Sequence, residues 1–356
     1  MNHSVSPSNA PDWTKVVLRH GRRWLSALVL TIAALMTVGG RTVAGASTSA
    51  IRLEVPAGLA LTPAGHLLIA DQRLNEVVER LPDGQMKVIA GTGHAGFSGD
   101  GGPATKAELD DPTALALAPD GTLYVVDAGN RRVRAILPDG TIVTVAGGGR
   151  LSGGSIPSGT PATEVSLDPG DIAIGPRDEL YLSAGSEVLR LTSSGLLDEV
   201  AGPANFVGVV STYAGSCGPD AIAFDRSGRL WVGCDNSREL LVRNPDGRFA
   251  VVTHLYRAHD FPGLAAAPDG SFVYVDGESI VRRSHGISGV LVGLGGFHLA
   301  IGFVPNGIAI APDGTIYTDS RFGDGFTQGA ALAEVKSDGK TKVLASWKEN
   351  CRQLRC

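Results

Sequence analysis

The 356-residue chain contains 48 glycines, few aromatic residues and a formal net charge of −5. Its hydrophobic content of 43% is sufficient for a packed core, which excludes a disordered chain. The glycine content favours short strands joined by turns over a helical bundle. Length alone is compatible with one large domain or with two smaller ones.

The first 46 residues have the features of an export signal. An uncharged apolar run, residues 24–40, follows several basic residues and precedes Ala44-Gly45-Ala46, a form that signal peptidases accept. The run is shorter than the ~20 residues of a membrane-spanning helix, which predicts a cleaved signal peptide and a mature chain beginning near Ser47. An uncleaved signal anchor is the alternative, and Arg22-Arg23 loosely resembles a twin-arginine signal. Both predict an extracytoplasmic protein, secreted or anchored to the cell membrane.

Cleavage after residue 46 would leave 26 basic and 35 acidic residues. An acidic exported domain argues against a nucleic-acid partner, because phosphates require a basic protein face. Contact with a membrane is expected only through the N-terminal segment, if that segment stays uncleaved. All four cysteines follow the segment, and an even number in an oxidising compartment indicates two disulfides.

One sequence unit occurs six times in the chain, which is typical of repeat architectures. Residues 112–127 and 305–317 share an apolar stretch, a Pro-Asp-Gly turn and a second apolar stretch. Successive units begin 56, 57, 50, 43 and 43 residues apart, and the variation lies mainly in the connections between them. The units start at Pro56, Pro112, Pro169, Pro219, Pro262 and Pro305.

Each unit predicts four short antiparallel strands. In the second unit, the turns Pro119-Asp120-Gly121 and Pro138-Asp139-Gly140 reverse the chain between apolar segments. One four-stranded sheet cannot bury both of its faces, whereas six sheets packed around an axis cover one another. The sequence therefore predicts an all-β fold, a six-bladed β-propeller of four-stranded antiparallel blades at residues 56–347. Residues 1–46 are the signal or anchor, 47–55 a linker or extra edge strand, and 348–356 a C-terminal tail.

The second unit carries a family resemblance. The stretches Gly91–Thr105 and Leu123–Arg134 closely resemble bacterial NHL-repeat proteins, and the pattern extends over residues 56–347. The third unit departs from the pattern, because Ala184 stands where the second has Asp127, and the fifth lacks the Asn-Arg pair. The resemblance implies a propeller that presents a binding surface, and it implies no particular reaction.

Aspartates near the ends of the predicted second strands recur in five units. A catalytic site is rarely copied five times, so the repetition predicts a structural role in which each carboxylate accepts backbone N–H groups of its loop. These residues are Asp71, Asp127, Asp235, Asp276 and Asp319.

A second polar set precedes the predicted inner strands and is expected around the mouth of the central channel. We expect no bound metal there, and a solvated acidic rim is the simplest interpretation. The alternative is Ca²⁺, whose oxygen ligands would be Asp171, Asp220, Asp260 and Asn306. Residues 305–309 are similar to a segment of the gluconolactonase family, whose propellers hold a divalent metal, but the glutamate of that family's first blade has no evident match here.

Zinc is a second alternative at the channel. A propeller lyase similar to this fold uses a zinc ion held by histidines, and His254, His259 and His298 flank the fifth unit. Their spacing matches no compact zinc motif. His259-Asp260 is the only adjacent imidazole–carboxylate pair.

Two kinds of connection differ from ordinary hairpin turns. The glycine-rich segments 91–103 and 147–161 lack the lysine and the helix of a phosphate loop, so they are predicted to be long surface connections. Residues 320–329 of the last unit predict a long loop bearing Phe322 and Phe326. This loop either recognises a partner or folds back on its blade.

The sequence favours an extracytoplasmic binding module for a protein, a peptide or an envelope glycan. The rival interpretation is a metal-dependent enzyme of the lactonase or lyase kind with its site at the channel mouth. No catalytic residue is assigned by either. The candidate ligand-binding residues are Asp111, Asp171, Asp220, His259, Asp260, Asn306, Arg321, Phe322, Asp324 and Phe326.

Cys217 and Cys234 flank the first two predicted strands of the fourth unit. If Phe224 faces Arg229 across this hairpin, Cys234 faces Pro219, two residues from Cys217. A small adjustment of the chain then brings the two cysteines to the ~5.5 Å Cα separation of a disulfide.

The remaining cysteines, Cys351 and Cys356, would close a small loop in the tail. The competing pairing joins the tail to the fourth unit, which requires the tail to cross the propeller surface.

Overall fold

Turns with an aspartate and a glycine join the first two strands of most units. The computed structural model describes residues 53–151, 155–206, 217–235, 237–255, 263–277, 279–292, 304–323 and 327–350. In one such turn the Gly121 N–H donates to the Ala118 carbonyl at 2.9 Å, with Gly121 at φ +88°, where a side chain would be strained. The Asp120 carboxylate accepts the Thr122 N–H at 2.9 Å. These local contacts determine where each hairpin reverses.

The strands form six antiparallel sheets in the part of the chain that the structure describes, and each sheet is one blade. Blade 1 contains β1 (Pro56–Leu61), β2 (Leu67–Asp71), β3 (Glu76–Arg80) and β4 (Met86–Ala90), and blade 2 contains β5 (Pro112–Leu117), β6 (Leu123–Asp127), β7 (Arg132–Ile136) and β8 (Ile142–Gly147). Blade 3 contains β10 (Pro169–Ile174), β11 (Leu180–Ala184), β12 (Glu187–Leu191) and β13 (Leu196–Ala201), with the short β9 (Thr160–Pro161) added beside β13. Blade 4 contains β14 (Pro219–Phe224), β15 (Leu230–Cys234), β16 (Glu239–Arg243) and β17 (Phe249–His254). Blade 5 contains β18 (Leu264–Ala266), β19 (Phe272–Asp276), β20 (Ser279–Ser284) and β21 (Ile287–Val292), and blade 6 contains β22 (Val304–Ile310), β23 (Ile316–Gly323), β24 (Thr327–Val335) and β25 (Thr341–Asn350).

The six blades close into a ring. An apolar cluster of described residues fills each interface between neighbouring blades, including the interface between blade 6 and blade 1. In that last interface Leu59 and Ile69 pack with Ala309 and Leu332, and Leu53 is fully buried beside them. The first strands of successive blades lie next to one another around the axis. The predicted six-bladed propeller is confirmed.

Helical segments are short in the part of the chain that the structure describes, where they are α1 (Pro203–Phe206) and two 3₁₀ turns, Ala104–Lys106 and Ala162–Glu164. Within the described ranges no helix has the length and apolar character needed to cross a bilayer. The predicted signal segment, residues 1–46, lies outside these ranges.

The two glycine-rich connections run out to the perimeter of the propeller. We name residues 91–111 the blade-2 arm and residues 148–168 the blade-3 arm. Each arm pairs with the outer strand of the blade that follows it: Pro103 bridges Thr141, and β9 pairs with β13. The arms therefore cover the outer edges of blades 2 and 3, where an exposed strand would otherwise be free to pair with other chains.

A buried arginine holds the blade-2 arm. Arg134 on β7 has no exposed side-chain surface and donates to Asp100 Oδ1 at 2.7 Å and to Asp127 Oδ2 at 3.3 Å. Its guanidinium also donates to the Ser98 carbonyl at 3.2 Å, and the Phe97 ring lies against it. The charge is thus buried together with Asp127, while the more exposed Asp100 ties the arm to it.

The last blade differs from the prediction. Residues 320–329 were predicted as a loop, but β23 and β24 extend through most of this segment. Arg321 pairs with Ala330 and Phe322 with Gly329. The strands of blade 6 therefore project beyond those of the other blades, and only residues 324–326 lie outside the described hairpin.

The predicted disulfide between Cys217 and Cys234 is confirmed, with a Cα–Cα distance of 5.0 Å. The register assumed for it was wrong, because Phe224 pairs with Leu230 and not with Arg229. A register shift near the start of β14 nevertheless brings Pro219 opposite Cys234, as predicted. The proposed bridge between Cys351 and Cys356 lies outside the described residues.

Removing the confirmed bridge should destabilise the fold. The double substitution Cys217→Ala with Cys234→Ala is expected to lower the free energy of unfolding by about 3 kcal/mol, because the bridge closes a short loop in the unfolded chain. Urea unfolding measures this loss. The control is the same measurement with a reductant present, where the difference between wild type and variant should fall below about 1 kcal/mol. A difference of equal size with and without reductant would contradict the assignment.

Candidate functional site

Side-chain oxygens at the ends of second strands hold the backbone that enters the inner strands. This structural role was predicted for the repeated aspartates and is confirmed by hydrogen bonds at three of them. The bonds join Val55 N to Asp71 Oδ1 (3.1 Å), Asp110 N to Asp127 Oδ1 (2.7 Å) and Gly307 N to Asp319 Oδ1 (2.7 Å).

Blade 3 makes the same contact with a different residue. Ala184 stands where blades 1 and 2 have Asp71 and Asp127. The neighbouring Ser183 Oγ accepts the Asp171 N–H at 2.8 Å, as Asp319 Oδ1 accepts the corresponding N–H in blade 6. Sequence reasoning missed Ser183. Its signal was a serine beside the position at which the repeat loses its carboxylate.

A cavity of about 510 Å³ lies on the axis where the inner strands begin. All six inner strands contribute to its lining, which contains many glycine and alanine residues together with larger apolar residues such as Leu115 and Ile172. Small residues are required where the strands approach closely: a Cβ atom on Gly58 would lie 2.5 Å from the Thr113 carbonyl oxygen. The cavity is thus an open channel mouth with a mixed polar and apolar lining.

Two of the predicted site residues, Asp171 and Asp220, lie in this lining. Asp171 Oδ1 accepts the Ile172 N–H at 2.8 Å, and its Oδ2 accepts the Ile222 N–H of blade 4 at 2.9 Å. The carboxylate therefore joins the inner strands of two blades. Burial raises the pKa of Asp171 to about 6, and the nearby Asp220 adds to this rise, while the two N–H groups oppose it.

Asp111 does not line the cavity. It lies between blades 1 and 2, where its N–H donates to Asn75 Oδ1 at 2.9 Å, and its φ of +55° marks a sharp bend of the chain. The sequence predicts Asp111 as a ligand-binding residue of the channel mouth because it precedes an inner strand. The bend directs this part of the chain toward the neighbouring blade.

The other candidate residues are only partly described. Asn306 lies in β22, and Arg321 and Phe322 lie in β23, but their side chains are outside the described part of the structure. His259, Asp260, Asp324 and Phe326 fall outside the described residues altogether.

The described side chains include no group of three His, Cys, Asp or Glu residues that could hold a metal ion. Asp171 and Asp220 are two of the four carboxylate and amide ligands considered for Ca²⁺. Among the histidines considered for zinc, His254 lies 3.1 Å from Glu239 Oε1 and is largely exposed on the outer strand β17. Because β17 is the fourth strand of blade 4 and β14 is the inner one, two strands separate the strand of His254 from the strand that lines the channel.

A second cavity, of about 780 Å³, lies between the blade-3 arm and blade 3. Leu151, Ile156, Val165 and Leu167 contribute apolar surface to it. At its edge the Ile156 N–H donates to the buried Glu187 carboxylate at 3.1 Å. The sequence did not predict this cavity, because it depends on the path of the arm.

The Asp171 carboxyl should make stability depend on pH. Its folded-state pKa lies above the ordinary value of 3.8, so between about pH 4 and pH 6 the folded protein binds more protons than the unfolded chain. The free energy of unfolding should then fall as pH rises through this window, and Asp171→Asn should flatten that slope in urea unfolding.

The control is Asp139→Asn, at an exposed turn where the Thr141 N–H lowers the carboxyl pKa. This variant should keep the slope between pH 4 and pH 6. Identical slopes in the wild-type protein and Asp171→Asn would refute the role of Asp171.

Comparison with known proteins agrees with this architecture. Residues 40–137 match the family described as the Teneurin NHL domain. Teneurin-1 of Mus musculus is 36% identical over 95 residues, which is 23% of this chain and 4% of that protein, and Teneurin-4 of Homo sapiens is 35% identical over 95 residues, 23% of this chain and 3% of that protein. The chain thus spans a small fraction of the length of these relatives.

Two solved structures share the fold at low sequence identity. Virginiamycin B lyase from Staphylococcus aureus, in a catalytically inactive form with quinupristin, has a TM-score of 0.52 and 14% identity, covering 82% of this chain and 84% of that one. A putative gluconolactonase has a TM-score of 0.52 and 17% identity, covering 75% of this chain and 85% of that one. Together with the repeats and the six closed blades, these similarities identify the fold as a six-bladed β-propeller, of which residues 40–137 match the Teneurin NHL domain.

Proposed function

We propose that this propeller is an extracytoplasmic binding module that recognises a protein, a peptide or an envelope glycan at the face where the channel opens. The observation that carries the proposal is the construction of that face. Six inner strands converge at the mouth, polar and apolar residues line it, and the Asp171 carboxylate there accepts the Ile172 and Ile222 N–H groups. Such a face offers a rigid array of hydrogen-bonding groups, which suits recognition.

The disulfide supports an extracytoplasmic location. Cys217 and Cys234 are almost fully buried, and the bridge between them is one that an oxidising compartment maintains. The predicted export segment agrees with this location. The similarity to Teneurin NHL domains is consistent with an interaction module.

The acidic residues at the channel mouth also bear on which partner the protein would bind. The channel mouth carries acidic side chains, Asp171 and Asp220, so a nucleic-acid partner is disfavoured. We expect no cofactor for binding.

One observation favours the rival function, a metal-dependent enzyme of the lactonase or lyase kind. An acid with a pKa near 6, Asp171, lies beside Asp220 in a water-accessible cavity, and such pairs occur in catalytic sites. Against this, both Asp171 oxygens already accept backbone N–H groups. Binding therefore remains the function that the geometry supports best.

Peptide and glycan arrays probed with the purified protein test the proposal. We expect binding to a small set of array features, and about a tenfold loss of binding in Asp220→Arg, which reverses a charge at the mouth. The control Asp246→Arg makes the same charge change on an exposed turn of blade 4 and should bind as the wild type does. Equal binding by both variants, or turnover of a lactone with no array binding, would contradict the proposal.

A further inference from the structure

The outer edge of blade 5 differs from those of blades 2 and 3. Ile287 and Val290 on β21 are 75% and 65% exposed. In blade 2 the corresponding residues, Thr141 and Thr144, are half-buried. Large apolar side chains on an exposed edge strand are unusual, because such an edge can pair with another chain.

The arms of blades 2 and 3 show how this fold covers an outer edge. In blade 2, the Gly101 N–H donates to the Ile142 carbonyl at 2.8 Å and the Ala104 N–H donates to the Gly140 carbonyl at 2.9 Å.

In blade 3, the Gly159 N–H donates to the Leu197 carbonyl at 2.8 Å and the Ala162 N–H donates to the Gly195 carbonyl at 2.9 Å. The two arms therefore use one geometry, with a Pro-Ala pair at Pro103-Ala104 and at Pro161-Ala162.

Blade 5 presents the same backbone positions. The fourth strands of blades 2 and 5 can be aligned on the register shift in their pairing with the third strand. In this alignment Ser288 corresponds to Ile142, and Gly286 corresponds to Gly140. Gly286 has the same positive φ as its counterpart, 82° against 85°. The backbone that receives an arm in blade 2 is therefore repeated in blade 5, and Gly286 through Val290 are exposed.

The chain preceding blade 5 is too short to supply an arm. In blade 2, residues 101–111 first pair with the outer strand and then lead back to the inner strand. In blade 3, residues 159–168 do the same. These are eleven and ten residues, whereas the whole connection from β17 to β18 is residues 255–263, nine residues. The connection that supplies the arms of blades 2 and 3 is therefore too short to supply one of the observed geometry in blade 5.

Charge indicates the chemistry of the partner. In blade 2 the arm residue Asp100 pairs with an arginine of the third strand, Arg134. In blade 5 the residue that corresponds to Arg134 is Val281, and two arginines, Arg282 and Arg283, follow it on the third strand. The Arg283 guanidinium donates to Ser288 Oγ at 3.1 Å, and His285 lies in the exposed turn. Arg282 Nε has no hydrogen-bond partner among the described atoms. A basic edge of this kind favours an acidic segment.

We propose that the outer edge of β21, Gly286–Val290, binds an extended acidic segment of another polypeptide, which adds to blade 5 as a fifth strand. The segment lies antiparallel to β21, as the arms lie antiparallel to their strands. The Ser288 N–H and carbonyl and the Gly286 carbonyl bind its backbone. Ile287 and Val290 contact its side chains on the two faces of the sheet. This edge is on the perimeter, so the proposal is independent of recognition at the channel mouth.

Two labelled peptides test the proposal with the intact protein. The acidic probe copies residues 156–164 of the blade-3 arm with Ser158→Asp, and the basic probe carries Ser158→Lys and Glu164→Lys. Fluorescence anisotropy should show at least about tenfold tighter binding of the acidic probe. Hydrogen exchange should show protection by this probe within residues 284–292.

Three variants of the protein locate the site. Ser288→Pro removes an N–H donor and should weaken binding of the acidic probe about tenfold. His285→Glu changes only an exposed turn and should weaken it about fivefold. Arg248→Glu, at the exposed turn of the equivalent hairpin in blade 4, is the matched control and should have no effect.

Several results would overturn the proposal. Protection outside residues 284–292, or equal binding of both probes, would exclude this edge as the site. Unchanged binding in both Ser288→Pro and His285→Glu would do the same. A dimer in sedimentation that Ser288→Pro dissociates would show that a second copy of the chain occupies the edge in place of a peptide.

Discussion

Every blade of this protein has two apolar faces, and the structure depends on covering both. A four-stranded sheet has no means of doing so alone, so each face must pack against a neighbour until the ring closes. The closing interface, between blades 6 and 1, is made by side-chain packing around Leu59, Ala309 and Leu332, and Leu53 fills the space beside them. Blade 6 has four strands of its own, so closure does not require a strand shared between the two ends of the propeller.

Ring closure also determines the chemistry available at the axis. Six inner strands converge there, and their close approach selects glycine and alanine, as at Gly58 and Gly307. The mouth is lined by many small residues, by apolar residues such as Leu115 and Ile308, and by Asp171 and Asp220. A site of this composition is well suited to fixed hydrogen bonding. It contains few groups that could take part in a reaction.

The repeats in the sequence predicted the fold, because hairpin turns and strand alternation are local properties. They also predicted the role of Asp71 and Asp127, since the contact lies within one blade. The link from Asp171 to Ile222 was not predictable in the same way, because it crosses between blades and depends on how two sheets pack. The arms were recognised as long connections, but their path to the outer strands depends on ladders with residues far along the chain. In blade 6, Phe322 and its glycine neighbours resembled a loop in composition, yet the ladder of β23 and β24 extends through them.

We propose the channel mouth as a recognition surface and not as a metal-dependent active site. Elemental analysis of the purified protein after exhaustive dialysis distinguishes the two. We expect calcium and zinc contents far below one ion per chain. One tightly held Ca²⁺ or Zn²⁺ per chain, lost together with the Asp171 carboxylate in Asp171→Asn, would contradict it and favour the enzyme.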